Sequence, residues 1–132
     1  MAKARKVKEI SFSIANKVGL LSEVTVAIAG AKVNITAICA YAMENEGYFM
    51  LTTDSTAKAR KALVPFGAEI EENDVVEVEL PNKPGELKKV AKRIAEAGID
   101  IEYMYATAGT GKTATGVFRT ADDKKAIRVI NK

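Results

Sequence analysis

The chain is written twice. Setting Asn16 against Asn82 and holding that spacing, "NKVGLLSEVTVAIAGAKVNITAICAYA" (16–42) meets "NKPGELKKVAKRIAEAGIDIEYMYATA" (82–108) with identical residues at eleven of 27 positions and no gap. The same spacing is expected to hold to Asp54 and Thr120, where each copy enters a short helical pattern. A repeat of this length constrains the fold more than any short motif, because each copy must be one supersecondary unit. At 132 residues there is room for two such units and little else, and the division is expected at 1–72 and 73–132.

Within each copy the apolar periods are legible. "KEISFSI" puts Ile10, Phe12 and Ile14 on one face, and "DVVEVEL" does the same with Val76, Val78 and Leu80, the period of two of a half-buried strand. An Asn-Lys-x-Gly turn follows in both. Leu21, Val24, Ile28 and Ala31, or Leu87, Val90, Ile94 and Ala97, then recur at helical spacing. Gly98 is placed to end the second helix, and Lys32 stands at the equivalent position of the first. "VNITAICAYAM" with "GYFMLTT", and "IDIEYMYATA" with "ATGVFRT", read as hairpins. "STAKARKALVPF", stopped by Pro65, and "ADDKKAIRVI" read as closing helices. The order predicts an α+β fold of two ferredoxin-like βαββαβ units, antiparallel sheets with helices on one face. "AEIEEN" can supply the last strand of the first unit. The second has none of its own, so an open sheet edge is expected unless another segment or chain covers it.

Composition removes much chemistry. There is no histidine, which excludes His-based triads and the usual zinc sites, so neither catalytic nor metal-ligating residues nor a cofactor are expected. The single cysteine, Cys39, lies in the apolar run "ITAICAYA" and reads as a small hydrophobe. No run is apolar for the roughly 18 residues of a membrane span, and a cytoplasmic protein is expected. Net charge is only +3, too little to mark a nucleic-acid surface, and the basic cluster Lys3, Arg5, Lys6 and Lys8 reads as a solvated tail. Tyr103 and Tyr105 are expected to share a strand face with Ile101 as packing. Tyr48 and Phe49 invite comparison with RNA-recognition plaits, but the match is partial and the tail lacks interleaved aromatics.

"AGTGKT" (108–113) raises the question of a phosphate-binding loop. The pattern requires a first glycine, where Ala106 stands, and a helix immediately after, where "ATGVFRT" reads as a strand. It is read instead as a hairpin turn, with Gly109 and Gly111 available for positive φ.

The loops "ANKVGLL" and "LPNKPGELKK" are more informative. Each runs from a strand into a helix start, where backbone N–H groups lack intrahelical partners and face the positive end of the dipole. Gly19 and Gly85 leave the backbone accessible, and Asn16 and Asn82 carry a donor and an acceptor together. A free α-amino acid, with one carboxylate and one ammonium, matches that pairing. Asparagine, glycine and Pro84 also suit a plain strand-to-helix turn, and chemistry alone leaves both readings open.

"NKPGEL" followed after a helix by "AGIDI", and "IEYMYA" followed by "GVFR", resemble ACT domains, the regulatory modules of amino-acid metabolism, in their short tandem form. The resemblance spans residues 7–130. It implies non-catalytic binding of an amino acid at an interface between ACT units, by the loop after the first strand and the start of the second. By position it implicates Asn16, Val18, Gly19 and Leu20 with Asn34, and Asn82, Pro84, Gly85 and Glu86 with Asp100. Val18 departs from the usual proline, which loosens the turn, and Asp100 from an asparagine, which repels a ligand carboxylate but can accept from its ammonium. A homodimer is expected, since interface sites need partners. The alternatives are a nucleic-acid-binding plait and an interaction module whose loops stay empty.

Overall fold

The computed structural model describes all residues, Met1–Lys132. In chain order the elements are β1 (Lys3–Ala15), α1 (Leu20–Gly30), β2 (Ile35–Met43), β3 (Glu46–Thr53), α2 (Thr56–Leu63) with a 3-10 turn at Val64–Phe66, β4 (Glu71–Pro81), α3 (Glu86–Glu96), β5 (Ile101–Ala108), β6 (Thr113–Thr120) and α4 (Asp123–Asn131). No helix is long and apolar enough to cross a membrane. The chain divides into two units: Lys8–Asn73, and Met1–Val7 together with Asp74–Lys132.

In the first unit the strands lie in the order β2-β3-β1, all antiparallel, with Phe12 opposite Phe49 and Ile38 opposite Leu51. Period-two residues of β1 and β3 meet α1 and α2 on one face. Ile10, Phe12, Val24, Ile28, Phe49 and Leu51 form the core there, and the rings of Phe12 and Phe49 stack at 5.0 Å. The second unit repeats the plan as β5-β6-β4, with Val76, Val78, Val90, Ile94, Phe118 and Ile130 buried. Each such side chain contributes roughly 1.5–3 kcal/mol by leaving water. Both units are ferredoxin-like, as the element order requires.

The fourth strand of each unit comes from an unexpected place. "AEIEEN" is not a separate strand: only Glu71–Asn73 is extended, and it runs without a break into β4. Asn73 Nδ2 donates to Ser11 Oγ at 2.9 Å and to the buried Glu9 at 3.4 Å, tying this head of β4 to β1. In the second unit the open edge of β4 is covered by Lys3–Val7. The basic cluster is therefore strand, not tail. Ala4 is buried, Arg5 pairs with Glu77 and Lys6 with Asp74, and Ala4 exchanges two hydrogen bonds with the Asn131 side chain. Its apolar face is made only of alanines, too faint a signal beside four cations.

Three local expectations are also corrected. The core stripe of α1 begins at Leu20, with Val24 and Ile28 one turn apart, while Leu21 is half exposed; Leu87 is likewise exposed at the start of α3. The repeat spacing does not hold to Thr120. Asp54 N donates to Asn34 O, but it is Ala121 N that donates to Asp100 O, so the second hairpin carries one extra residue. A register shift between Ile101 and Tyr103 breaks the strand alternation. Ile101 packs on the core with Met104, and Tyr103 instead stacks with Tyr105, with Arg119 5.9 Å from its ring.

Candidate site at the strand-to-helix turns

Two kinds of helix start coexist. α2 and α4 are capped by side chains, Ser55 accepting from Lys58 N and Asp122 from Lys125 N, the ordinary way to satisfy first-turn amides. α1 and α3 begin instead on Gly19 and Gly85, at φ 87° and 84°, with no side-chain cap. That left-handed backbone favours glycine, and in both copies it brings the chain sharply from strand into helix. The turn uses Leu20 N on Lys17 O and Glu23 N on Gly19 O. A bare, positively polarised start is a place where an anion is stabilised.

In the first unit this turn forms one wall of a cavity of about 310 Å³, lined also by the C-terminal end of β2 (Ala40, Tyr41, Ala42) and by Gly47 and Phe49 of β3. Asn16, Gly19 and Leu20 meet there, and the Asn16 side chain takes no hydrogen bond from the rest of the chain. Leu20 itself is a core side chain, so it offers backbone only. Gly47 packs closely there: a Cβ would lie 2.8 Å from Leu20 Cδ2, so the Leu20 side chain would have to shift. Val18 is fully exposed and lies outside the cavity lining. Asn34 is not near the turn within its own unit. It follows the 11-residue α1, whose length of roughly 16 Å separates it from Gly19. Its backbone is clamped to Asp54, N to Oδ1 at 3.0 Å and O to Asp54 N at 3.0 Å.

The second turn is built from the same residues and is engaged differently. Asn82 Nδ2 donates to Gly109 O at 2.9 Å and to Gly111 O at 3.0 Å, latching the hairpin tip onto the loop. This is what the glycine-rich stretch does, and neither Gly109 nor Gly111 has a positive φ; they supply carbonyls rather than left-handed backbone. Glu86 stands where the first unit has Leu20, and its carboxylate pairs with Lys89 at 2.9 Å. That hydrogen bond from Lys89 holds the Glu86 carboxyl below its ordinary 4.5. Lys83 and Glu86 line a separate cavity of about 270 Å³ with Pro81, Lys89 and Arg93. Pro84, Gly85 and Asp100 lie outside its lining, and Asp100 follows α3 as Asn34 follows α1.

The β2 residues of the first cavity were not legible as site residues. The signal available was the uncharged run from Ile35 to Met43 beside a loop that wants an anion. The Phe49 ring is buried against Phe12, so β3 does not present the pair of exposed aromatics that base stacking needs. No group of side chains here is arranged to hold a metal ion.

With this geometry in hand, comparison with known proteins gives a family. No curated protein sequence matches the chain. Among solved structures it is similar to protein BT0572 from Bacteroides thetaiotaomicron, at 34% identity and a TM-score of 0.87 over 97% of this chain and 88% of that one. It has the fold of the regulatory subunit of aspartate kinase from Thermus thermophilus, at 17% identity and a TM-score of 0.71 over 98% and 94% of the two chains. It also superposes on E. coli aspartokinase III in complex with lysine and aspartate, at 16% identity and a TM-score of 0.60, covering 98% of this chain and 31% of that one. The family model of the ACT domain pair matches residues 5–132, and the chain belongs to that family.

Proposed function

We propose that this ACT domain pair is a non-catalytic regulatory module of the cytoplasm that binds a free amino acid at an interface between ACT units, with a second copy of the chain in a homodimer supplying the facing unit. The observation that carries the reading is the bare start of α1 at Gly19, beside an unengaged Asn16 and over a cavity, when α2 and α4 are each capped by a side chain. In this reading the ligand carboxylate lies against the turn Asn16–Leu20, with Val18 at its rim, and Asn34 of the facing unit receives the ammonium. Asn82, Pro84, Gly85 and Glu86 with Asp100 are the counterparts of these residues by position in the second unit. The separation of Asn34 from Gly19 by the length of α1 is why a facing unit is needed. E. coli aspartokinase III, similar in fold, was crystallised with two amino acids, which supports this ligand class.

A ligand bridging two units shifts the balance between their arrangements by its differential affinity. So small a ligand is expected to bind at roughly micromolar to millimolar concentrations. The test is a thermal-shift screen against the twenty amino acids and common nucleotides, followed by calorimetry. Asn34→Ala and Gly19→Val should each weaken binding at least tenfold, and Lys112→Ala should not. A nucleotide that stabilises the protein and is lost with Lys112→Ala would overturn the proposal. The mass in solution should be twice 14.2 kDa.

A further inference from the structure

Resting on that reading, we infer that only the first unit takes an amino acid, and that its ligand carries an uncharged, apolar side chain. Duplication gave both units the same turn, but the second unit has filled it from within. The two N–H groups of the Asn82 amide are both spent on Gly109 O and Gly111 O, so that side chain has no donor left for a ligand carboxylate. The Glu86 carboxylate, although paired with Lys89 at 2.9 Å, places an acidic group in the first turn of α3 at the position where the first unit has Leu20. A ligand there would have to displace one internal contact and sit beside a like charge. In the first unit neither obstacle exists. Asn16 is tied by its backbone alone, N donating to Asn45 O at 2.9 Å, the residue at the Glu86 position is Leu20, and Glu23, the acid of the first turn of α1, is paired with Lys17 at 2.9 Å.

The side-chain class follows from the rest of the wall. Beyond the polar residues Asn16 and Lys17 and the Gly19 backbone, the cavity is bounded by Leu21, Ala40, Tyr41, Ala42 and Phe49. β2 has no charged residue along its whole length, so nothing on that wall can pair with an ammonium, guanidinium or carboxylate at the end of a ligand side chain. A charged side chain would meet only Lys17, already paired with Glu23 at 2.9 Å, whereas an aliphatic one gains by leaving water.

The experiment is isothermal calorimetry on the full chain with L-leucine, L-valine and L-methionine against L-lysine and L-glutamate, with circular dichroism to confirm that each variant is folded. The expected result is one apolar amino acid per chain, at least tenfold tighter than either charged one. Asn16→Ala should weaken it at least tenfold, Ala40→Asp should abolish it, and Asn82→Ala should leave it within twofold. Tighter binding of L-lysine or L-glutamate, two ligands per chain, or equal losses from Asn16→Ala and Asn82→Ala would overturn the inference while leaving the amino-acid reading in place. Absence of binding by all five probes would overturn the inference, and absence of binding by all twenty amino acids would overturn the reading it rests on.

Discussion

Asn131 is the sharpest place to test how the second unit is closed. Its side chain makes both available bonds to one residue, accepting from Ala4 N at 2.6 Å and donating to Ala4 O at 2.9 Å, and so pins the covering strand to the end of α4. Asn131→Ala leaves the N–H and C=O of a buried residue without protein partners. Each lost bond is worth about 1 kcal/mol, so the variant should be about 2 kcal/mol less stable in denaturant titration. For a chain of this size that corresponds to a fall in Tm of roughly 7 °C. Asn131→Asp keeps an acceptor for Ala4 N but sets an oxygen against Ala4 O, and should fall between wild type and alanine. Lys3→Ala, with its side chain in solvent, should change stability by less than about 0.5 kcal/mol. Hydrogen exchange should accelerate at residues 4–7 before it does in the core. A loss under about 0.5 kcal/mol for Asn131→Ala, with unchanged exchange, would refute the claim that this strand is held from α4.

Lys32 ends α1 at φ 60°, where Gly98 ends α3 at φ 71°. Lys32→Gly should gain about 0.5 kcal/mol, strain relief of roughly 1–2 offset by the glycine's greater freedom when unfolded, and equilibrium unfolding measures it. Gly98→Ala should lose about 1 kcal/mol from backbone alone, since nothing lies within 4 Å of the added methyl. Phe118→Ala, in the centre of the second core, should cost roughly 3–5 kcal/mol in the same assay. Because folding lowers the Glu86 pKa, its contribution is complete above its ordinary 4.5 and is lost as pH falls through the folded value. Lys89→Met should therefore shift the Glu86 titration upward by NMR and remove that part of the acid sensitivity.

The element order and both helix-facing strand stripes were legible because burial writes itself as period two or period 3.6, and Ile10, Phe12, Val76 and Val78 obey it strictly. What escaped was set by pairing rather than burial. Lys3–Val7 is a strand because β4 needs a neighbour, and an alanine face does not announce that. The stripe of α1 was read one residue late because both Leu20 and Leu21 are apolar, and only the close approach to Gly47 selects Leu20. The turn residues Asn16, Gly19, Asn82 and Gly85 were recognisable as anion-facing, but identical letters hid different engagements. Asn82 is bound to a hairpin tip one residue longer than its counterpart, and no local pattern encodes a contact 27 residues away. The β2 side of the first cavity carries no charged group, so chemistry gave no reason to single it out.

The exchange of strand segments has a consequence for how the molecule is made. Residues 3–7 emerge from the ribosome before anything they pair with, and their neighbours β4 and Asn131 lie at the opposite end of the message. The first unit can condense as soon as Asn73 is available, while the second must wait for its closing helix and then retrieve a segment synthesised long before. Cutting the gene after Asn73 would leave the first unit its own strands and strip an edge from the second, whose covering strand is encoded ahead of the first.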